Sequence, residues 1–231
     1  MSLSKKEAII LDFLGRYVTT HKKQEIERVL AERTRYITIV LEDIYQSQNA
    51  SAALRTCECM GIQDVHIIED RNPYKVNKGV LRGANKWLTI HRYQKEDEDN
   101  TSLCFHALRS MGYRILSTDP ETDGNLVGVV DITRGPVALV FGNELEGLSD
   151  RALNGCDEKV RFPMTGFTES MNISATVSAM LAILTMQLRS RAINYKLSEA
   201  EKEELRLEWY RKVVRRSAEL EKVLLGSVLK P

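Results

Sequence analysis

The chain has 231 residues, 43% of them hydrophobic, which is enough for one substantial core and does not require two full domains. Its 33 basic and 32 acidic residues leave a net charge of +1, which excludes a global basic field for binding nucleic acid. The four cysteines show neither zinc-ligand spacing nor a disulfide framework, and no apolar run approaches the ~20 residues of a membrane span. We therefore expect a soluble cytoplasmic protein, with no membrane partner, whose thiols are reduced.

The hydrophobic pattern predicts helices and strands that alternate along most of the chain. A capping box at Ser4 and Glu7 predicts a first helix, and a second is expected near 21–33. Strands are predicted at 36–41, 65–68, 87–90, 113–116, 137–141 and 159–162, with helices between them near 50–60, 77–84, 101–111 and 149–154. A long helix is predicted over 173–193, and another from Ser198 to about Leu225. Such alternation indicates an α/β fold with a mainly parallel sheet flanked by helices on both faces.

Three polar clusters stand at the ends of apolar segments, at 49–55, 141–147 and 162–172. Ligands bind at the carboxyl ends of the strands in open α/β sheets, so the second and third clusters, which follow strands, are expected at one edge. Each cluster also has a structural explanation. Asn49, Ser170 or Asn172 can cap a helix, Arg55 can be a surface arginine paired with a carboxylate, and the glycines of the second cluster fit an ordinary turn.

Together the clusters resemble the signature motifs of the SPOUT superfamily of RNA 2′-O-ribose methyltransferases, most closely the TrmH type that acts on tRNA guanosine. The matching segments are Asn-x-Ser-x-x-x-Arg at 49–55, Phe-Gly-Asn-Glu-x-x-Gly at 141–147, and Phe-Pro-Met followed by Ser-Met-Asn-Ile-Ser within 162–174. The resemblance covers roughly residues 35–195. It implies a deep trefoil knot and a homodimer with active sites at the interface, for which the apolar face of 173–193 is a candidate.

The resemblance also implies three domains and a set of site residues. Residues 36–195 would be the methyltransferase domain, and 1–35 and 196–231 would be helical extensions that contact RNA. The donor S-adenosylmethionine would be held mainly by backbone groups around Thr118, Gly142, Phe162 and Met171, with 116–120 over its adenosine. The family's catalytic positions become Asn49, Arg55, Glu144, Ser170 and Asn172. The expected reaction is 2′-O-methylation of a ribose in tRNA, most specifically guanosine 18 of the D-loop.

Arg55 is expected to be essential for this reaction in either of two roles. In the first, a substrate phosphate orients Arg55 so that it takes the proton of the ribose hydroxyl. In the second, Arg55 stays charged and stabilises the developing alkoxide, which agrees with the rule that a guanidinium keeps its proton in proteins. The sequence leaves both roles open.

Local charge predicts where RNA binds. Residues 71–95 carry seven Lys and Arg and no Asp or Glu, interleaved with aromatic residues, a pattern suited to phosphates and to stacking. A solvated face with Trp87 and Ile90 in the core is the alternative. The predicted RNA contacts are Arg71, Lys75, Lys78, Arg82, Lys86, Arg211, Lys212, Arg215 and Arg216. In the C-terminal helix, neighbouring glutamates leave a merely solvated surface as the alternative.

Three other functions have less support in the sequence. The absence of a GxGxxG turn after the first strand removes the main support for a dinucleotide-dependent oxidoreductase. A SPOUT-like protein that binds RNA without transferring methyl groups has no need for Asn49, Arg55, Glu144 and Asn172 together. A 2′-O-methyltransferase that acts on rRNA or on another tRNA position remains as the alternative that keeps the chemistry.

Overall fold

The chain divides into two compact units in a computed structural model, which describes residues 3–119 and 124–228. One unit is Thr34–Tyr195, and the other combines Met1–Arg33 with Lys196–Pro231. The divisions fall within two residues of the boundaries expected at 35/36 and 195/196. The two terminal segments thus belong to a single unit.

A parallel sheet forms the centre of the unit Thr34–Tyr195. Its strands are β1 (Ile37–Glu42), β2 (Asp64–Ile68), β3 (Thr89–Tyr93), β4 (Arg114–Thr118), β5 (Asn125–Leu126), β6 (Val137–Phe141) and β7 (Glu158–Arg161). Within the described residues their order is β3-β2-β1-β6-β4-β7-β5, and each neighbouring pair is parallel. The prediction of an α/β fold with a parallel sheet is confirmed.

Both faces of the sheet are covered, which explains why its central strands are apolar at nearly every position. In β1, the side chains of Ile37, Ile39 and Leu41 join the core on one face, whereas Val40 joins the core on the other with Val140. β-Branched side chains suit such strands because they pack closely on a pleated surface.

Helices on the two faces complete these cores. On the first face lie α3 (Ser47–Met60), the short α4 (Lys78–Leu81) and α7 (Ile173–Ser190). Helix α3 contacts α7 and buries Leu54, and it ends at Gly61, whose φ of 82° suits a glycine. The second face is covered by α5 (Asn100–Ser110) and α6 (Asp150–Gly155), which bury Phe105 and Ala152.

Small differences from the predicted elements have local causes. The third strand begins at Thr89, two residues later than predicted, because Trp87 is the C-cap of a 3-10 turn at Ala84–Lys86. Trp87 and Ile90 are only half-buried. Strand β5 was not predicted, since two residues carry no periodicity. The four cysteines are free thiols.

The terminal unit consists of helices α1 (Lys5–Gly15), α2 (Thr20–Leu30), α8 (Glu199–Val213) and α9 (Ser217–Val228) in the described chain. The capping box of Ser4 and Glu7 is confirmed, and Ser198 and Glu201 form a second one. Leu14, Leu30 and Trp209 are fully buried in this unit. The guanidinium of Arg33 lies 5.5 Å from the centre of the Trp209 ring, a cation–π geometry.

The prediction of one helix from Ser198 to about Leu225 is wrong. Helix α8 ends at Val213, Val214 is extended, and Arg216 has a φ of 58°. Two adjacent valines are weak helix formers, and the Ser217 hydroxyl donates to the Arg211 carbonyl across the break at 2.7 Å. A second helix, α9, therefore starts at Ser217.

Helix α7 is long and apolar enough, by length and composition alone, to cross a membrane, which the sequence analysis did not expect. A third of it is buried in the protein, and Val177, Met180 and Leu181 belong to the core against the sheet. Core helices of soluble proteins pass the same test, so this property is weak support for a membrane span. The trefoil knot stays a prediction, because strand order and pairing do not define how the chain threads.

A group of buried polar side chains joins β2 and β3, far from the strand ends that lead into the three polar clusters. Parallel pairing sets His66 beside His91, and their rings stack with centres 4.5 Å apart. His91 Nε2 and Asp64 Oδ1 share a hydrogen bond of 2.8 Å, and Arg35 Nε donates to Asp64 at 2.9 Å. Burial, reinforced by the charge of His91 and opposed by Asp64, lowers the pKa of His66 to about 3. His66 is therefore neutral in the folded protein at neutral pH.

We predict that this histidine makes the free energy of unfolding depend on pH. Between about pH 6.5 and about pH 3 the unfolded chain binds a proton at residue 66 that the folded protein does not, so stability falls as pH falls, by at most ~1.4 kcal/mol per pH unit from this group. Urea unfolding at several pH values should show a shallower slope for His66→Gln. His106→Gln, a change at an exposed histidine, should keep the wild-type slope. Equal slopes for the wild type and His66→Gln would contradict the assignment.

Candidate active site

A cavity of about 520 Å³ opens at the carboxyl ends of β4, β6 and β7 and reaches the start of α3. It brings together residues from all three polar clusters. Eight of the nine predicted catalytic and donor-binding residues line it: Asn49, Thr118, Gly142, Glu144, Phe162, Ser170, Met171 and Asn172. Arg55 is the ninth and does not line it.

Hydrogen bonds fasten the strand ends that form the base of the cavity. The hydroxyl of Thr118, the last residue of β4, donates to the Val140 carbonyl of β6 at 2.8 Å. The next amide, that of Asp119, donates to the Val160 carbonyl of β7 at 3.2 Å. The ends of β6, β4 and β7 are thus held in register where a ligand would meet their backbone.

A tight turn after β6 forms one wall. The backbone of Asn143 exchanges two hydrogen bonds of 2.9 Å with that of Gly147, and Gly147 has a φ of 73°. A Cβ atom at Gly142 would lie 2.2 Å from the carbonyl carbon of Gly147, so the two segments can approach only because residue 142 has no side chain. The two glycines therefore serve a close backbone contact.

A chain of hydrogen bonds joins the three clusters. The side-chain amide of Asn49 donates to Glu144 at 2.7 Å, and that of Asn172 donates to the Asn49 side-chain oxygen at 3.1 Å. Glu144 also accepts from the backbone amides of Tyr45 at 2.9 Å and Gln46 at 3.3 Å. Asn49 is buried, so each of its polar atoms needs such a partner.

These contacts show which of the polar residues caps a helix. Helix α3 begins at Ser47, so Asn49 lies inside it and is not its cap. Asn172 is the N-cap of α7, since its side-chain oxygen accepts from the Ser174 amide at 2.9 Å, while its side-chain nitrogen reaches Asn49. Asn172 thus has both a capping and a site contact. Ser170 is exposed on the cavity wall.

Arg55 lies outside this network. It is six residues beyond Asn49 on α3, about 9 Å further along the helix axis. Its side chain is exposed and donates to the Val80 carbonyl of α4 at 3.4 Å. If Arg55 were only a surface arginine, it would be expected to pair with a carboxylate. No such ion pair is seen among the described residues.

The predicted RNA contacts differ in their surroundings. Lys75, Lys78, Arg82 and Lys86 are exposed and have no ion pair within residues 3–119 and 124–228. Arg71 is already paired, since it donates to Asp43 at 3.3 Å and to Glu146 at 2.6 Å.

In the terminal unit, too, some of the predicted RNA contacts already pair with a carboxylate and others do not. Arg211 donates to both oxygens of Glu221, at 2.8 and 3.1 Å, and Lys212 pairs with Glu208. Arg215 and Arg216 are exposed, with no ion pair to any described residue. The glutamates therefore neutralise two of these four cations.

Several residues of the cavity wall were not among the predicted site residues. Gln46, Leu148 and Glu169 line it, and no signal in the sequence distinguishes them from their neighbours. Arg161 also lines it and could have been found, because it lies at the carboxyl end of a predicted strand. Met164, in the Phe-Pro-Met motif, and Asp119, in the segment 116–120 expected over the adenosine, line it as well.

Comparisons with known proteins agree with this geometry. Residues 36–182, more than half of the chain, match the model of the SpoU rRNA methylase family. This chain belongs to that family. Over 203 residues it is 42% identical to a tRNA (guanosine(18)-2′-O)-methyltransferase of Borreliella burgdorferi, covering 87% of this chain and 90% of that protein.

Solved structures show the same fold. A TrmH/SpoU tRNA modifying enzyme of A. aeolicus superposes with a TM-score of 0.73 and 24% identity, covering 84% of this chain and 98% of that one. The SpoU methyltransferase AviRb of Streptomyces viridochromogenes, solved with the cofactor AdoMet, gives a TM-score of 0.54 and 20% identity over 71% of this chain and 62% of that one. The prediction of an α/β fold with a parallel sheet, shared with these methyltransferases, is confirmed, and the knot stays a prediction.

We predict that Gly142→Ala weakens ligand binding in the cavity. The new methyl group would overlap the backbone of Gly147, so the backbone of residue 142, itself a predicted donor contact in the cavity, must move away from that turn. Calorimetric titration with S-adenosylmethionine, the donor predicted from the sequence, should show at least a tenfold weaker affinity, a cost of ~1.4 kcal/mol. Gly128→Ala is the matched control, because nothing lies within 4 Å of its added Cβ. Unchanged affinity for Gly142→Ala would show that the ligand does not depend on the backbone at residue 142.

Proposed function

We propose that this protein transfers a methyl group from S-adenosylmethionine to the 2′-hydroxyl of guanosine 18 in tRNA. The observation that carries the proposal is the cavity in which Asn49, Glu144 and Asn172 are hydrogen-bonded to one another at the carboxyl edge of a parallel sheet. Membership of the SpoU rRNA methylase family supports the reaction. The 42% identity with a guanosine 18 methyltransferase over nine tenths of its length supports the substrate.

The cavity has the properties that S-adenosylmethionine requires. Its volume lies within the range of ~300–1,000 Å³ typical of small-molecule sites. Phe162 and Met171 offer apolar surface, and Gly142 lines the cavity without a side chain to cover its backbone. Thr118, the fourth predicted donor-binding residue, lies at the same edge. When bound, this cofactor supplies an electrophilic methyl group.

The protein's own part in the reaction is mainly to position the ribose. Glu144 accepts three N–H groups, from Tyr45, Gln46 and Asn49, so its carboxylate is occupied in holding α3 against the turn. Asn49 is oriented in turn, and Ser170 offers an exposed hydroxyl among the residues that line the cavity. These residues orient the acceptor rather than remove its proton.

Arg55 handles the developing charge on the ribose oxygen in this proposal. Its guanidinium is exposed and donates to a neutral carbonyl, that of Val80, so it is available to an anionic group of the substrate. A phosphate of the RNA can draw it toward the cavity mouth from its position on α3.

The RNA backbone is proposed to bind beside Arg55. Lys75, Lys78, Arg82 and Lys86 flank or belong to α4, whose Val80 carbonyl contacts Arg55, and all four are exposed without ion pairs among the described residues. Arg215 and Arg216 would add contacts from the terminal unit, so that residues 1–35 and 196–231 serve as an RNA-binding extension of the catalytic domain 36–195. Arg71, Arg211 and Lys212 are weaker candidates, because each already pairs with a carboxylate.

The active form is proposed to be a cytoplasmic homodimer. Apolar side chains remain on the surface of the unit Thr34–Tyr195, among them Val129, Met186 on α7, and Phe167 beside the cavity. Burying them between two copies would remove a large apolar area from water. A partly exposed α7 is also explained in this way without a membrane.

Methylation of a ribose in rRNA is the alternative, favoured by the description of the matched family as rRNA methylases. A protein of the same fold that only binds RNA is the other alternative. An rRNA methylase would place the methyl group on a different RNA, and a protein that only binds RNA would transfer no methyl group.

We expect radiolabelled methyl transfer to an unmodified tRNA transcript and none to the same transcript with 2′-deoxyguanosine at position 18. Arg55→Ala should lower the transfer rate by about 10²-fold or more, because it removes charge stabilisation in the transition state. Arg109→Ala, at an exposed arginine paired with Asp157, should keep the wild-type rate. Methyl groups on a base, or on the deoxy-substituted transcript, would overturn the proposed acceptor. Label that enters only ribosomal RNA would favour the alternative.

We also expect tRNA affinity to fall with salt through the basic residues near α4. The double variant Lys78→Ala/Arg82→Ala should bind tRNA more weakly and reduce the slope of log affinity against log salt by about 1.5. Arg109→Ala/Arg151→Ala, which removes two cations already paired with Asp157 and Asp99, is the matched control and should keep the slope. Equal slopes in all three proteins would contradict this RNA-binding surface.

A further inference from the structure

Asp43, the residue after β1, has an unusual conformation and an unusual number of partners. Its backbone is left-handed, with a φ of 51°, a conformation that aspartate tolerates better than most residues. Its side chain is buried. One carboxylate oxygen, Oδ1, accepts from the successive backbone amides of Asp70, Arg71 and Asn72 at 2.9, 2.9 and 3.1 Å. The side chain therefore holds the segment that follows β2.

The backbone carbonyl of Asp43 reaches in the other direction, to the turn after β6. It accepts from the side-chain nitrogen of Asn143 at 2.9 Å and from that of Asn72 at 3.1 Å. Asn143 is buried, and its side-chain oxygen accepts from the Leu145 amide at 2.7 Å. Since β2 and β6 are the two neighbours of β1 in the sheet, this one residue connects the segments that follow three adjacent strands.

Arg71 also joins these segments, but more weakly. It donates to Asp43 Oδ2 at 3.3 Å and to Glu146 at 2.6 Å. The side chains of Arg71 and Glu146 are each 61% exposed, so water and salt screen this ion pair. The buried contacts of Asp43, rather than the arginine, fix the geometry.

We propose that Asp43 is a positioning residue for methyl transfer: by binding residues 70–72 and the turn 143–147, it holds Glu144 where that carboxylate can orient Asn49. The next residues along the chain support this role. Two and three residues beyond Asp43, the amides of Tyr45 and Gln46 donate to Glu144, so the same turn is tied to the 43–46 segment at both ends. The proposal rests on the proposed function, since it concerns the geometry of that reaction.

The loss of Asp43 should affect the reaction more than donor binding. Thr118, Phe162 and Met171, three of the predicted donor contacts, make no hydrogen bond to the 43–46 segment within the described residues. Asp43→Ala should free the turn to shift, and a displacement of ~1 Å at the acceptor side lowers the rate on the order of 10²-fold. KM for S-adenosylmethionine should stay within about threefold of the wild-type value.

The experiment measures steady-state methylation of a tRNA transcript by the full chain, with the stoichiometry of donor binding used to count folded molecules. Asp43→Asn should recover the rate to within about tenfold of the wild type, because an asparagine also adopts the left-handed backbone and keeps an oxygen for the three amides. A merely structural role would not separate kcat from KM in this way.

Asp97→Ala is the matched control. Asp97 has nearly the same backbone conformation, with a φ of 57°, but is exposed and lies between β3 and α5, away from the cavity. Its replacement carries the same cost of alanine in a left-handed conformation without touching the site. We expect wild-type kcat for this variant, which separates backbone strain from positioning.

Asn143→Asp tests the same link from its other end if Asp43→Ala fails to fold. This change keeps the side-chain oxygen and removes the donor to the Asp43 carbonyl, so kcat should again fall much more than donor binding. Wild-type kcat in folded Asp43→Ala or in Asn143→Asp, or an equal loss for Asp97→Ala, would overturn the positioning role. A wild-type protein that transfers no methyl group to tRNA would instead overturn the proposed function, and this proposal with it.

Discussion

The site depends on one carboxylate, that of Glu144, which accepts three N–H groups from a segment about 95 residues away in the chain. Two come from the backbone entry to α3, at Tyr45 and Gln46, and the third comes from the side chain of Asn49. Hydrogen bonds to an ionised acceptor are stronger than those between neutral groups. Because Asn49 in turn binds Asn172, the N-cap of α7, this carboxylate sets the relative position of all three polar clusters.

The sheet makes that arrangement possible. Strand order places β6 between β1 and β4, so the turn after β6 lies beside both the entry to α3 and the end of β4. Parallel strands bring their carboxyl ends to one edge, and the apolar residues that cover both faces leave this edge as the natural site for polar groups. The same topology explains the cavity: its base consists of strand ends fastened through Thr118 and Asp119.

The fold could be predicted from the sequence because buried parallel strands, such as β1 and β6, are nearly continuous apolar runs. The motif resemblance further identified most of the cavity wall. Asp43 could not be found, since its left-handed backbone is stabilised by amides of the segment after β2 and by an asparagine of the turn after β6, contacts that exist only once the sheet has formed. For the same reason the sequence did not reveal the break between α8 and α9, where Arg216 is left-handed.

The distribution of polar partners bears on how the proton leaves the ribose hydroxyl. Glu144 is occupied by three donors, and Asn49 and Asn172 cannot accept a proton at neutral pH, so the cavity wall offers no strong base among these residues. Among the described residues, Arg55 donates to the neutral Val80 carbonyl and forms no ion pair with a carboxylate. A guanidinium keeps its proton in proteins. In the proposed reaction, the contacts therefore favour the second of its two roles, in which Arg55 stabilises the developing alkoxide while the proton passes to water.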